Sequence, residues 1–333
     1  MIPGEVIVIV DKIKPRLVVS RCLGFDACRW NGVTIPSELM ELIRPHAEII
    51  TVCPELEIGL GVPRNPVRVI GIKEEDRKLY QPETGRYFTQ EMRDFTQTFL
   101  ANLPDIDGFV LKSKSPSCGI KDVKIYPREG KVAVAAQDKG FFGGPVLSAF
   151  PCSAIEDDAR LTNFRIREHF LTRLFCISRF RWLKENVSMR GMVEFHTRHK
   201  LIFMAYNQKQ MRVLGRIVAN PERKPVSELI KEYEDHLLPV FTNISRYRSH
   251  INVLMHALGY VSRKISSEER AFFLQLLEDY RHAHVPLSVP LGVMKSHLVR
   301  FREKYLLDQY YFNPFPSELV QITDSGKGRT LKS

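Results

Sequence analysis

The chain has 333 residues, 44% hydrophobic and 26% charged, values that exclude global disorder and leave room for two ordinary domains. Its net charge of +11 is unevenly placed: residues 1–155 carry 20 Lys+Arg against 19 Asp+Glu, and the rest carries 29 against 19. A near-neutral segment is thus joined to a strongly basic one, which suits a polyanionic partner.

In chain order, the apolar run Glu5–Val10 is too short to span a bilayer, and no basic start or cleavage site accompanies it. The expected setting is the cytoplasm, with no membrane partner. Six cysteines in such a chain do not read as a disulfide framework, which leaves metal ligands, catalytic groups or core positions. The β-branched run Arg16–Ser20 predicts a strand that ends at Arg21-Cys22. A helical pattern covers Pro36–Ile43, and a second strand, Glu48–Val52, ends at Cys53. Met92, Phe95, Phe99 and Leu103 recur at helical spacing within Thr89–Leu103. A third strand, Gly108–Lys112, leads into the loop Ser113–Gly119, which contains Cys118. A fourth strand is expected at Lys131–Ala135.

This alternation predicts an α/β first domain over residues 1–155, Rossmann-like with a largely parallel sheet. The texture then changes to i, i+3, i+4 apolar spacing, so residues 156–325 read as an all-α second domain. Its expected helices are Leu161–Trp182, Val193–Val218, Val226–His236, Ile251–Leu258 and Ser267–Tyr280. Pro286, Pro290, Pro314 and Pro316 punctuate its end, and the tail after Ile322 is expected to fray.

Cys22, Cys53 and Cys118 each follow the carboxyl end of a predicted strand, the edge where open α/β sheets form ligand sites. None belongs to a CxxC pair, which argues against a zinc ribbon. Thiolates hold iron–sulfur clusters, and three of them on a four-iron cube would leave one iron open. Cys28 lies close to Cys22 and reads as a neighbour of the site, a ligand swap or a fourth ligand. Cys152 and Cys176 read as core. No dinucleotide fingerprint is present: Gly59-x-Gly is too short and Gly140-Phe-Phe-Gly-Gly departs from the pattern, so no nicotinamide or flavin is expected.

The segments Ser20-Arg-Cys-Leu-Gly, Val52-Cys-Pro-Glu, Gly59-Leu-Gly-Val-Pro-Arg-Asn-Pro, Leu111-Lys and Ser115-Pro-Ser-Cys-Gly resemble the DUF523 family of thiouracil desulfidases. Arg160-Leu, Phe195-His-Thr-Arg-His-Lys-Leu and Leu214-Gly-Arg-Ile-Val-Ala resemble the DUF1722 domain. The fusion is similar to two-domain enzymes that remove sulfur from 4-thiouridine in tRNA. The resemblance implies a [4Fe-4S] cluster on Cys22, Cys53 and Cys118 with one open iron, Glu55 as acid/base and Ser115 as positioning hydroxyl. One departure is Asn31, which stands where family members often carry Asp.

On that reading sulfur binds the open iron, and Glu55 activates the water that attacks C4. Ser115 and the N–H groups of the Ser115–Gly119 turn are expected to hold the base edge. Lys112 and Lys114 offset cluster charge or are simply solvated. The reaction is hydrolytic and redox-neutral.

For the basic domain, Arg198, Lys200, Lys209, Arg212 and Arg216 are the candidate RNA contacts. The last three share a helical face by i, i+3, i+7 spacing. Arg165, Arg167, Arg173, Arg179 and Arg181 stud the first helix. Trp182, Phe195 and Tyr206 read as core more than as stacking platforms. His196 and His199 have no visible partner ligands, so a second metal is not expected. Two other functions fit the same sequence. One is a desulfidase of free thiouracil or thionucleosides whose helical domain serves oligomerisation. The other is a non-enzymatic RNA-binding protein with zinc on Cys22, Cys28, Cys53 and Cys118.

Overall fold

Three consecutive β-branched or leucine residues in Arg16–Ser20 make a strand that can be buried on both faces, the mark of an interior position in a parallel sheet. The computed structural model, which describes residues 13–130 and 132–320, places that strand, β1, inside a four-stranded sheet. Leu17, Val18 and Val19 are fully buried. The chain folds as two compact units, Ile13–Ser178 and Arg179–Ser317.

In the first unit β1 (Arg16–Ser20) is followed by α1 (Glu38–Ile43), β2 (Glu48–Val52), α2 (Pro54–Glu57) and β3 (Arg68–Ile70). Next come β4 (Lys78–Gln81), β5 (Arg86–Tyr87), α3 (Thr89–Ala101), β6 (Gly108–Leu111) and β7 (Val123–Tyr126). Then follow β8 (Ala136–Asp138), α4 (Gly143–Ala149), β9 (Ala154–Asp157) and α5 (Phe164–Glu185), a helix that runs through the division between the units. The main sheet has the order β2-β1-β6-β9, and each adjacent pair is parallel. The chain moves outward from β1 to β2 and then returns to the other side of β1. The order therefore reverses between β1 and β6, and ligand crevices in open α/β sheets form at such a reversal.

A second sheet, β5-β4-β3-β7-β8, is mostly antiparallel and was not legible in the sequence. Its strands are two to four residues long, too short for a period-2 pattern to show. The expected fourth strand is also displaced. Residues 132–135 are not strand, β8 begins at Ala136, and Lys131 lies outside the described residues. The Glu5–Val10 run and the tail after Ile322 lie outside them as well.

The second unit is helical: α6 (Met189–Tyr206), α7 (Gln208–Ala219), α8 (Val226–Leu237), α9 (Tyr247–Val261), α10 (Ser267–Arg281), α11 (Ser288–Arg300) and α12 (Lys304–Leu307). The expected single helix Val193–Val218 is in fact two. Asn207 leaves the helical conformation and its side chain caps α7 by accepting from the Gln210 N–H, so apolar periodicity continued across a real break. Pro290 likewise does not end a helix. It sits in the first turn of α11, where a missing N–H costs nothing.

Helix α6 is the core of this unit, with Met192, Phe195, His196, His199, Leu201, Ile202 and Phe203 buried. The amide of buried Gln309 donates to the Thr197 carbonyl (2.7 Å) and accepts from the Leu201 N–H (3.2 Å), two groups that an α-helix pairs with each other. The Tyr310 N–H donates to the Arg198 carbonyl (2.9 Å). The Phe195–Leu201 motif is therefore a docking place for the chain's own Gln309-Tyr310 segment. Among the described residues no helix is long and apolar enough to cross a membrane.

Candidate active site

The loops that leave β1, β2 and β6 meet over the reversal point and enclose a cavity of about 350 Å³. Cys22, Cys28, Cys53 and Cys118 line it together with Glu55 and Ser115. All four thiols are free. The three cysteines singled out by their strand ends thus share one space, and Cys28 joins them.

Each loop is fixed by local chemistry. Cys53 is the residue before α2, and Pro54 at the first helical position presets the turn that carries Glu55. The Cys118 loop is held from behind. Backbone N–H groups of Phe142 and Gly143 donate to the Ser117 carbonyl (2.9 and 3.0 Å), and the Gly140 N–H donates to that of Gly119 (2.7 Å). Side chains at Gly140 and Gly143 would collide with the carbonyls of Ser117 and Gly119. The Gly140-Phe-Phe-Gly-Gly segment, unfit as a nucleotide fingerprint, is the buttress of this loop.

The thiols are electrostatically crowded. Cys28 is pushed up to about 11, first by its hydrogen bond with Cys22, while its contact with Cys53 acts in the opposite direction. Cys53 is raised by its hydrogen bond with Cys28 and then by burial. Burial takes Cys118 up to about 12, opposed by the hydroxyls of Ser20 and Ser115. Such thiols stay protonated until positive charge arrives among them, which is how a thiolate metal site loads, with release of protons. Among the described residues no three or more His, Cys, Asp or Glu side chains gather closely enough to hold a single ion. The donor set is soft, comes from three separate loops and faces a common cavity, and on those grounds it fits an iron–sulfur body.

Glu55 is 9% exposed, and the structure gives it partners that sequence reasoning missed. Arg64 Nε donates to Oε2 (2.8 Å) and Arg64 Nη2 lies 2.7 Å from the same oxygen. Ser117 Oγ, fully buried, donates to Oε1 (3.0 Å). Arg64 Nη1 also donates to the carbonyls of Cys28 and Gly61, each at 3.0 Å. One guanidinium therefore ties the first loop to the acid. The signal was available, because a buried carboxylate beside thiolates needs a cation, and Arg64 stands in a segment already singled out.

Ser115 lines the cavity, but the N–H groups of Ser117, Cys118 and Gly119 are spent within the turn. Those of Ser117 and Cys118 donate to Ser115 Oγ (3.3 and 3.1 Å), and that of Gly119 to the Ser115 carbonyl (2.9 Å). They are not free to hold a base edge. Lys112 pairs with Asp158 (2.7 Å), whereas Lys114 is exposed. Asn31 is exposed and does not line the cavity.

In the helical unit Lys209, Arg212 and Arg216 lie exposed on α7, opposite buried Leu214 and Ile217. Arg198 and Lys200 are half-buried on a different helix, α6, and Arg198 pairs with Glu194 (3.0 Å). The arginines of α5 do not form an exposed stripe. Arg167, Arg179 and Arg181 are buried, with Arg167 donating to the Leu161 carbonyl, Arg179 stacked over Tyr310 and Arg181 paired with Glu185. Phe195 is core, Tyr206 packs on Phe241, and Trp182 is 47% exposed. His196 and His199 face inward, bonded to the Tyr233 hydroxyl (3.0 Å) and the Phe195 carbonyl (2.8 Å). Cys176 is core, and Cys152 is only half-buried.

Two family profiles match the chain: "2-thiouracil desulfurase" over residues 17–158 and "Protein of unknown function (DUF1722)" over residues 200–316. The uncharacterized protein YbgA of Escherichia coli (strain K12) is 30% identical over 164 residues, which cover 49% of this chain and 96% of that protein. The uncharacterized protein YbbK of Bacillus subtilis (strain 168) is 33% identical over 112 residues, covering 31% of this chain and 72% of its own. The solved structure of the [4Fe-4S]-dependent thiouracil desulfidase TudS aligns with 44% of this chain and 93% of its own, at 23% identity and a TM-score of 0.35.

Proposed function

The chain belongs to the 2-thiouracil desulfurase family through residues 17–158 and to the DUF1722 family through residues 200–316, and from that premise we propose that it is an iron–sulfur-dependent desulfidase. Its substrate in this reading is 4-thiouridine in tRNA, its products are uridine and sulfide, and its compartment is the cytoplasm. One observation carries the reading. Cys22, Cys53, Cys118 and Glu55 line a single cavity at the carboxyl ends of neighbouring parallel strands.

Cys22, Cys53 and Cys118 would hold a [4Fe-4S] cluster with one iron open, and when bound it supplies a soft Lewis acid for the thiocarbonyl sulfur. Glu55 takes a proton from the water that attacks C4 and returns it to the ring or to sulfur. Its Oε2 is engaged by two donors from Arg64, whereas among the described residues Oε1 accepts only from Ser117, so Oε1 is the oxygen with room for that proton. Ser115 offers its hydroxyl hydrogen to the base edge. Water supplies the oxygen that replaces sulfur, so atoms balance without a nicotinamide or flavin. In the helical unit Lys209, Arg212 and Arg216, with Arg198 and Lys200, hold RNA phosphates while the target nucleotide is extruded.

The test is anaerobic incubation of iron-loaded protein with thiolated tRNA, followed by nucleoside analysis, with 4-thiouridine and 2-thiouracil run in parallel. Uridine and sulfide should appear in equal amounts, and faster from tRNA than from either small substrate. Intact 4-thiouridine beside iron-loaded protein would overturn the activity. Equal rates on tRNA and free nucleoside would move the reading to a small-molecule desulfidase. Protein that takes up zinc but no iron and sulfide would remove the enzyme altogether.

A further inference from the structure

Among the described residues, five cations line the cavity, and Glu55 is the one carboxylate beside them. Three of the five are already paired: Arg64 with Glu55, Arg21 with Glu57 and Lys112 with Asp158, each at 2.7 Å. The other two, Arg29 on the first loop and Lys114 on the third, have no side-chain hydrogen bond or ion pair among the described residues. Beside Arg29 stands Trp30, which also lines the cavity yet is 45% exposed. An indole that lines a charged cavity and stays half in water offers a face to a planar ligand. Its backbone is not loose, because the Arg64 N–H donates to the Trp30 carbonyl (2.8 Å) and Arg64 Nη1 to that of Cys28 (3.0 Å). The paired cations already have their counter-charges. The unpaired ones share the cavity lining with an aromatic ring, which is the composition of a nucleotide site: a ring for stacking and positive charge for phosphate.

We propose that Arg29, Trp30 and Lys114 form a nucleotide clamp, in which the indole stacks on the thiopyrimidine and the two cations take the phosphates flanking it in a polynucleotide. This rests on the desulfidase reading and deepens it. The first unit would itself distinguish a nucleotide from a free base, independently of the basic helical unit.

The test uses the full-length, iron-loaded protein with 4-thiouridine 3′,5′-bisphosphate and 4-thiouridine as probes. The chain has two tryptophans, so a Trp182→Phe background leaves Trp30 as the reporter, whose emission a stacked thiocarbonyl base quenches. The bisphosphate should bind roughly tenfold or more tighter than the nucleoside, with a salt slope steeper by about one for each phosphate held. Arg29→Ala with Lys114→Ala should erase that preference and the extra slope while iron and sulfide content stay unchanged. Trp30→Ala should weaken both probes by roughly tenfold, and Trp30→Tyr should restore most of the loss. Equal binding of the two probes by the parent protein would overturn the clamp. So would a preference that survives the double substitution, or iron lost with the two cations, which would assign them to the cluster. A phosphate preference in protein that desulfurises neither probe nor tRNA would keep the clamp and sink the desulfidase reading instead.

Discussion

Cys22, Cys53 and Cys118 come from three distant loops and share a cavity, whereas His196 and His199, one helical turn apart, are absorbed into the interior of their own unit. The contrast extends to the cations. Arg64 in the first unit clamps a cavity carboxylate, while Arg179 in the second stacks on Tyr310 inside the core. Nearness in sequence places two residues on one helix face, and packing then decides what that face meets. Parallel strands do something different: they bring every following loop to one edge, so residues far apart converge with no local signal of their own. Reactive residue types gain meaning from the element that delivers them.

The sharpest way to break this comparison is to attack the clamp on Glu55. Glu55→Ala should lower turnover by about 10²- to 10⁴-fold with iron and sulfide retained. Arg64→Gln should cost roughly 10- to 100-fold, because it leaves the buried carboxylate without its cation and frees the Cys28 carbonyl. Arg64→Lys should recover only part of this, since an ammonium cannot make the same fork of contacts. Ser117→Ala removes one donor to Oε1 and should cost roughly tenfold. Turnover of thiolated RNA together with iron analysis checks all four. If Arg64→Gln kept parental turnover, the pocket's order would be a matter of folding alone.

Much of this site was legible because its parts are loop motifs that follow strong strands. β1 and β2 lie where their β-branched runs place them, and Cys22 and Cys53 follow them into the cavity lining. What was not legible depends on contact at a distance. Ser117 stood in plain view beside Ser115, but only the folded loop shows which hydroxyl meets Glu55 and which caps the turn. The Gly140–Gly144 segment had no meaning until it was seen packed behind Cys118. In the helical unit, periodicity located most helices but overran Asn207, because a polar cap can interrupt a helix without disturbing the apolar spacing. The burial of Arg167, Arg179 and Arg181 on α5 was not legible either, because charge in a sequence says nothing about which way the side chain turns.

A second prediction asks whether the helical unit has any outward-facing function. Lys209→Ala, Arg212→Ala and Arg216→Ala together should raise KM for thiolated tRNA roughly 10-fold or more and lower the salt slope of binding by about three. Turnover of 4-thiouridine nucleoside gives the control, and helicity by circular dichroism should be preserved because these side chains are exposed. A tRNA KM left at the parental value would confine RNA recognition to the cavity.

The smallest expected effect tests the inward-facing half of the comparison. Burial, with the Lys200 charge adding to it, lowers the His196 pKa to about 4 from an ordinary 6.5, and burial also lowers that of His199 well below 6.5. The folded protein therefore resists protonation where the unfolded chain accepts it. Stability from His196 is fully present above pH 6.5 and is lost as pH falls toward 4. Between pH 7 and 5 this amounts to about 2 kcal/mol from His196 alone, in a range where ordinary carboxylates still carry their charge. Urea unfolding followed by circular dichroism should show that loss for the helical transition. His196→Gln, which keeps a partner for the Tyr233 hydroxyl, should flatten it. A midpoint insensitive to pH over this range would mean that the histidine reaches water in solution, and the claim that the second unit spends its polar side chains on its own interior would fail at its best-supported residue.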